Sequence, residues 1–221
     1  MCIRWYTAVN GKNISSLFNF YMTVLKNIVK WGIVLVVGGF VVLVLSRAVY
    51  FEVRDRTGKE VARIHVVRLT LDDVMGKNLP PDPGAAADTT IAGVDANVNG
   101  IRDDVELAIF KTYPTSAKTR AVLLQYALAL QMEMTQKKIN RETVTAVAEK
   151  TSAGYYCIGT ITSRSDMKKF IEVGDKLHNF VESSQLNTEE RKKAQKEFYE
   201  GNLGSYTLPS DCDLDLSTLP N

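Results

Sequence analysis

The amino-acid sequence predicts a mainly α-helical protein with an N-terminal transmembrane helix, a juxtamembrane β-hairpin and a small bundle of about five helices. Three observations support this fold class. Residues 31–46 contain no charged side chain. Residues 49–70 are rich in β-branched and aromatic residues and are interrupted by a turn glycine. Beyond residue 113, apolar residues recur at the spacing of three and four that is typical of amphipathic helices.

The composition is that of a chain that folds. Hydrophobic residues make up 45% of the 221 residues and charged residues 24%, a balance that excludes an intrinsically disordered protein. The net charge of +2 creates no overall field toward nucleic acid, and short basic runs such as Lys137-Lys138 are typical of a solvated helix surface. We therefore expect no nucleic-acid partner.

The apolar stretch at residues 28–48 is long enough to cross a membrane. Its charges are Lys30 near one end and Arg47 near the other, and about 20 residues of helix span the ~30 Å hydrocarbon layer. Trp31 and Tyr50 suit the two membrane interfaces. Because no small-x-small cleavage site follows, we predict an uncleaved signal anchor rather than a cleaved signal peptide.

Residues 1–27 precede the span and are predicted to lie in the cytoplasm. Met22 begins a short basic segment of the kind that opens a signal anchor, so residues 1–21 are interpreted as an optional upstream start. Basic residues after the span mildly disfavour export of the C-terminus, but long domains translocate largely regardless of such charges. We expect a single-pass protein of the bacterial inner membrane with its C-terminal domain in the periplasm.

Residues 49–74 are predicted to form a β-hairpin close to the membrane. Strands at 49–55 and 60–70 flank a turn at 56–59 that contains glycine. Because two strands alone are marginally stable, the hairpin needs a further surface or a partner protein to pack on. Residues 75–93, rich in Pro, Gly and Ala, are interpreted as a linker.

Residues 94–202 are predicted to form the helical domain and residues 203–221 a C-terminal tail. Apart from a short helix after residue 106, helices are expected from Pro114 to about Lys137, from Asn140 or Arg141 to near Gly154, from Ser165 to beyond Val181, and from Asn187 onward. The last helix begins with a capping-box pair, Asn187 and Glu190, and carries few apolar residues, so we expect it at the periphery.

Cys157 and Cys212 are predicted to form a disulfide. None of the three cysteines has the close Cys/His spacing of a zinc site. A bond between Cys157 and Cys212 in an oxidising compartment would anchor the tail. A buried free thiol at Cys157 is the alternative that the sequence leaves open.

One stretch carries a metal-binding pattern. Residues 95–106 match D-x-[DN]-x-[DN]-G-x5-E, in which alternate side chains converge on one point and a glycine makes the sharp turn. Calcium takes six to eight oxygen ligands, which such a loop supplies. The predicted calcium ligands are Asp95, Asn97, Asn99, the backbone carbonyl of Ile101, Asp103 and Glu106. The alternative is a plain turn followed by a capping box from Asp103 to Glu106.

This stretch resembles the single EF-hand-like calcium loops of bacterial surface proteins and is similar to those of dockerin and of thrombospondin type 3 repeats. The wider segment 79–114 resembles one in proteobacterial envelope proteins of unknown activity, so the resemblance implies a membrane-anchored envelope protein and no particular reaction. Arg102 departs from the EF-hand pattern, which has an aliphatic residue there to pair with a sister loop. In this sequence the nearest second loop, Asp211, Asp213 and Asp215, lacks the glycine and the closing glutamate.

The expected function is a membrane-anchored, extracytoplasmic, calcium-binding helical module with a structural or protein-interaction role. Three carboxylates around the ion predict weak binding, roughly 10⁻⁴–10⁻³ M as in extracellular modules. One alternative is an envelope enzyme that uses His178, although the sequence shows no phosphate loop, nucleophile elbow or zinc-ligand spacing. The other is a subunit of a larger envelope complex that docks through the hairpin.

Overall fold

The computed structural model describes the backbone of residues 3–201, 203–208 and 211–220, and the side chains of those ranges from residue 16 onward. The chain divides into two compact units, Met1–Asp55 and Arg56–Asn221. The α-helices are α1 (Ile3–Val66), α2 (Leu71–Met75), α3 (Asp103–Thr112), α4 (Ala117–Thr135), α5 (Arg141–Thr160), α6 (Met167–Gln185) and α7 (Glu189–Tyr199). Short 3-10 helices span Gly84–Asp88 and Leu216–Thr218. The predicted mainly α-helical fold is confirmed.

The first unit contains the apolar part of α1. Every described side chain from residue 16 to residue 51 is exposed, including the predicted span at 28–48. This helix is long and apolar enough to cross a membrane. An apolar helix whose whole circumference is exposed matches a lipid environment better than the core of a soluble domain, which is consistent with membrane association.

The predicted β-hairpin at residues 49–74 is wrong. Residues 49–66 continue α1 without a break, and the described part of the chain contains no β-strand. Once a helix exists, each further residue adds a hydrogen bond at little cost, whereas a hairpin needs a new nucleus. Thr57, Val61 and Ile64 lie at helical spacing, and Thr57 and Ile64 are each only 1% exposed. The docking edge expected from a hairpin is therefore absent from these residues.

The segment interpreted as a linker, residues 75–93, is held by hydrogen bonds from the bundle. A capping box between Thr70 and Asp73 starts α2, and the 3-10 turn at Gly84–Asp88 follows. Arg191 of α7 has no exposed surface. Its guanidinium donates to the backbone oxygens of Ala87, Thr90 and Ile91. A buried side chain thus supplies the donors that this proline-rich segment lacks.

α4 is the centre of the bundle. Every side chain from Ala121 to Glu133 is buried, so the buried surface runs around the whole helix rather than along one stripe. α3, α5, α6 and α7 each pack against α4. The predicted stripe through Leu123, Ala127 and Leu130 is buried, but the opposite face is buried as well.

Side-chain caps set the helix starts. Asn140 caps α5 as predicted, with its Oδ1 atom 3.2 Å from a backbone nitrogen of the first turn. α5 continues to Thr160, past Gly154 where its end was predicted. α7 is capped by Thr188 rather than by the predicted Asn187.

Gly154 allows α4 and α5 to pack closely. A Cβ atom at this position would lie 2.8 Å from the Cα atom of Tyr126, so the helix backbones are too close for any side chain. At Gly159, five residues further along α5, a Cβ atom would lie 3.5 Å from the Phe170 ring, which is an ordinary contact. The α4–α5 contact therefore requires glycine at position 154, whereas the contact between α5 and Phe170 of α6 tolerates alanine at position 159.

The C-terminal tail is bonded to the bundle. Cys157 and Cys212 form a disulfide with their Cα atoms 5.6 Å apart, as the sequence predicts. Asp213 accepts a hydrogen bond from the Leu69 backbone nitrogen at 3.0 Å, and its own backbone nitrogen donates to Gln125 Oε1 at 3.0 Å. Asp213, which the sequence shows beside Asp211 and Asp215, therefore holds the tail against the bundle.

We expect Gly154→Ala to lower the free energy of unfolding by about 1–3 kcal/mol because α4 and α5 must move apart. Gly159→Ala should instead leave it unchanged or raise it by up to about 1 kcal/mol through helix propensity. Urea unfolding of the full chain in detergent micelles measures both. Equal effects of the two substitutions would contradict the close-packing role of Gly154.

We expect reduction of the Cys157–Cys212 bond to lower the free energy of unfolding by about 4 kcal/mol, because a closed loop of about 55 residues is released. Urea unfolding with and without a phosphine reductant measures the change. Cys212→Ser should have the lower stability already and show no further response to reductant. A wild-type chain that ignores the reductant would show that the bond does not stabilise the fold.

Candidate metal centre

Residues 95–106 form a sharply turned loop that leads into α3. Both carboxylate oxygens of Asp95 accept backbone hydrogen bonds, from the Asn99 nitrogen at 3.1 Å and the Gly100 nitrogen at 2.9 Å. Gly100 has a φ of 85°, and a Cβ atom there would lie 2.8 Å from a leucine side chain of α4. Val98 also has a positive φ, 58°, which is rare for a β-branched residue. The loop therefore makes the turn that the sequence pattern predicts.

Glu106 lies in the first turn of α3 and points back into the loop. Its Oε2 atom accepts hydrogen bonds from the side-chain amides of Asn97 at 3.0 Å and Asn99 at 3.1 Å. Only 1% of this glutamate is exposed. Burial raises the pKa of Glu106 to about 7, and the two amide hydrogen bonds offset only part of that rise. The loop thus surrounds a carboxylate whose charge is poorly compensated.

The amide of Asn97 is only half satisfied. Its nitrogen donates to Glu106 and, at 2.9 Å, to the backbone oxygen of Asn78. Its Oδ1 atom is buried and has no hydrogen-bond partner among the described residues. An unpaired buried acceptor costs about 1–3 kcal/mol, so the present orientation of this amide is unfavourable.

Asp103 and Ile101 hold the two sides of the loop together. Both oxygens of Asp103 accept from the Ala96 backbone nitrogen, at 3.0 and 3.1 Å, and burial raises the pKa of Asp103. The Asp103 nitrogen in turn donates to the Val94 oxygen at 2.9 Å. The Ile101 nitrogen donates to Asn99 Oδ1 at 2.9 Å, while its side chain is fully buried in the core.

Hydrogen bonds thus join four of the predicted ligands, Asp95, Asn97, Asn99 and Glu106, and the fifth, Asp103, accepts from the Ala96 backbone of the same loop. Their carboxylates are spread along the loop. Among the described residues, no group of three or more His, Cys, Asp and Glu side chains stands close enough to hold a metal ion. The loop is held by internal hydrogen bonds, and two of them come from the asparagines at ligand positions, Asn97 and Asn99.

The contacts of Arg102 explain why this position departs from the EF-hand pattern. Its side chain is fully buried and pairs with Asp104 through two hydrogen bonds of 2.6 and 2.7 Å. It also donates to the backbone oxygens of Ser184 at 2.7 Å and Gln185 at 3.1 Å, at the end of α6. A guanidinium therefore docks this single loop on a helix terminus, where an EF-hand loop would pair with a sister loop.

His178 occupies a packing position on α6. Its ring stacks on Tyr155 with centroids 3.7 Å apart, and its Nε2 atom lies 3.2 Å from the Tyr155 backbone oxygen. Burial lowers the pKa of His178. The contacts of this ring are those of a boundary histidine between two helices, with no serine or cysteine hydrogen-bonded to it in the described chain.

Sequence reasoning missed the buried carboxylate of Glu133 on α4. Its two oxygens accept hydrogen bonds from Thr151 and Gln195, each at 2.6 Å, and a short one from Tyr199. Burial raises the pKa of Glu133. Because Gln195 and Tyr199 belong to α7, this network attaches the peripheral helix to the core. The signal in the sequence was the single acidic residue of α4.

We expect Arg102→Lys to lower the free energy of unfolding by about 3 kcal/mol, because an ammonium group cannot replace the planar fork that reaches Asp104 and two carbonyl oxygens. Urea unfolding of the full chain in micelles measures the loss. The exposed Arg141→Lys serves as control and should change stability by less than about 0.5 kcal/mol. Similar values for both variants would contradict the anchoring role of Arg102.

Comparison of the chain with protein-family models, with curated proteins and with solved structures gives no match.

Proposed function

We propose that this chain is a single-span membrane protein whose helical unit lies outside the cytoplasm, binds one calcium ion through residues 95–106 and has a structural or protein-interaction role. The observation that carries the proposal is the buried Oδ1 atom of Asn97, which lacks a donor beside the buried carboxylate of Glu106. A hard cation such as calcium would bind both the unpaired oxygen of Asn97 and the buried carboxylate of Glu106.

A cation in the loop would satisfy both groups. Rotation of the Asn97 amide by half a turn places Oδ1 where Nδ2 now donates, toward Glu106 and the backbone oxygen of Asn78. Without a cation this rotation would set one acceptor against another, so the unpaired oxygen persists. With a cation between them, the same rotation turns Asn97 Oδ1 and Glu106 Oε2 into ligands. The Asn99 amide also donates to Glu106, but its Oδ1 atom already accepts from the Ile101 nitrogen, so the same rotation would break that hydrogen bond.

Asp95 can bind the ion without giving up its turn. Its two oxygens each accept one backbone hydrogen bond, and a carboxylate has about four acceptor directions. The remaining lone pairs are therefore free to face a cation. Asp103 would contribute directly or through a water molecule, and the Ile101 carbonyl completes the set of oxygen ligands in the EF-hand arrangement.

Affinity is expected to be weak. Three carboxylates and two neutral amides place the dissociation constant at roughly 10⁻⁴–10⁻³ M, the range of extracellular modules. Such a site fills outside a cell and stays empty in the cytosol. The Cys157–Cys212 disulfide points to the same side of the membrane, since such bonds persist in oxidising compartments. We therefore propose a periplasmic helical unit anchored in the bacterial inner membrane.

The role of the ion follows from what the loop connects. Arg102 ties the loop to the end of α6, and Glu106 belongs to α3. An ion held by Asp95 and Glu106 would fix the angle between the incoming segment and the bundle. Calcium is therefore proposed to be structural, and the fixed surface around it to serve contact with another envelope protein.

Calcium at ten times its dissociation constant should stabilise the folded chain by about 1.4 kcal/mol. The melting temperature of the full chain in lipid nanodiscs should then rise by about 3–6 °C. Near-UV circular dichroism measures the transition in chelator and in about 5 mM calcium. Magnesium at the same concentration should have a smaller effect, because it demands a tighter octahedral site.

Glu106→Gln is the decisive variant, because it keeps the size and the buried position but removes the charge that closes the site. It should abolish the response to calcium. Glu172→Gln, an exposed change on α6, should keep it. A melting temperature that calcium does not move in the wild type, or moves equally in Glu106→Gln, would overturn the proposal.

A further inference from the structure

A second site lies between α5 and α6, away from the loop. It is a pocket of about 450 Å³, within the size range of small-molecule sites. Its walls are mostly aromatic, aliphatic or bare backbone, from Tyr155, Tyr156, Gly159, Phe170, Gly174 and Leu208. Leu208 comes from the tail that the disulfide anchors, so three separate segments build the pocket.

Gly174 keeps this pocket open. A Cβ atom there would meet no described atom within 4 Å, whereas one at Gly154 would collide with the backbone of α4. Packing therefore explains Gly154 but does not explain Gly174. A glycine inside a helix costs about 0.5–1 kcal/mol relative to alanine. At Gly174, the missing side chain leaves space that forms part of the pocket.

The two ends of the pocket differ in charge. At one end the Arg164 guanidinium lies over the Phe170 ring, 5.4 Å from its centroid. At the other end are Asp175 and the stacked pair of His178 and Tyr155. Phe170 and His178 are eight residues apart on α6, or about 12 Å along the helix. The apolar walls run between a cation and a group of hydrogen-bonding side chains.

We infer that this pocket binds a small, elongated amphiphile whose carboxylate or sulfonate lies against Arg164 and whose aromatic or aliphatic body lies between α5 and α6. Arg164 presents a planar donor group that suits a carboxylate in a bidentate arrangement. Tyr155, Phe170 and the open space at Gly174 accept the apolar body. Asp175 would accept a hydrogen bond from a hydroxyl or amine at the far end. This site is independent of the calcium loop.

Photolabelling of the full chain in lipid nanodiscs tests the inference. The probe is 4-benzoylbenzoate, an anionic aromatic, and its neutral counterpart is 4-methylbenzophenone. After irradiation, reduction and cleavage at lysines, the anionic probe should label mainly the peptides 151–168 and 170–176. Mapping the label by mass spectrometry separates the pocket from probe dissolved in lipid. Labelling spread evenly over the chain would overturn the inference.

Two substitutions separate the body of the ligand from its charge. Gly174→Leu fills the pocket and should reduce labelling of both peptides by both probes about tenfold. Arg164→Gln should raise the half-saturating concentration of the anionic probe about tenfold, as for one charge-assisted hydrogen bond, and leave the neutral probe unchanged. Both variants must melt as cooperatively as the wild type.

Glu172→Leu is the matched control, because it adds a leucine to the same helix at an exposed position outside the pocket. It should label as the wild type does. Unchanged labelling in Gly174→Leu would show that the pocket is not the site. An equal loss of both probes in Arg164→Gln, or no loss of either, would show that Arg164 does not bind an anionic group.

Discussion

The buried guanidinium of Arg102 joins the polar loop at residues 95–106 to the helical bundle. The last carbonyl groups of a helix have no partners within the helix, and Arg102 donates to two of them at the end of α6. Its pairing with Asp104 balances the charge. A fully buried cation is costly unless its donors are used, and Arg102 makes four hydrogen bonds to neighbouring oxygens. The position of the candidate metal centre on the bundle depends on this one side chain.

Two buried glutamates illustrate how the surroundings decide the role of a carboxylate. Glu133 accepts from three side chains on two other helices and is thereby a structural link between α4, α5 and α7. Glu106 has two asparagine amides, and one of these leaves its own oxygen unpaired. A complete set of neutral donors needs no ion. An incomplete set, next to further carboxylates, is what a calcium ion would complete.

Apolar composition has opposite outcomes in the two units. The apolar residues of α4 are surrounded by α2, α3, α5, α6 and α7, whereas those of α1 between residues 16 and 51 are exposed. The hydrophobic effect penalises exposed apolar surface only in water, so the same residue types suit a bundle centre and a lipid-facing helix. Glycine likewise has two uses: Gly154 is required by a close helix contact, while Gly174 leaves space that packing does not need.

The sequence by itself determined the features that depend on neighbouring residues. The uncharged stretch, the helix cap at Asn140 and the turn at Gly100 are local features, because residue spacing and backbone preference determine them. Residues 49–66 show the limit of local reasoning, since their β-branched side chains predicted strands. An existing helix and burial of Thr57 and Ile64 outweighed that propensity. The sequence predicted the correct disulfide among three cysteines because only the pair Cys157 and Cys212 joins the tail to the bundle.

Only the tertiary structure decided which charged side chains are buried and what they hold. Arg102 and Arg191 are both fully buried, and the backbone oxygens to which they donate lie about 80 to 100 residues away in the chain. The ring stack of His178, the network at Glu133 and the pocket at Gly174 likewise arise from contacts between helices. Such contacts depend on how the helices pack in three dimensions. No fixed spacing of residues along the chain predicts which helices will meet.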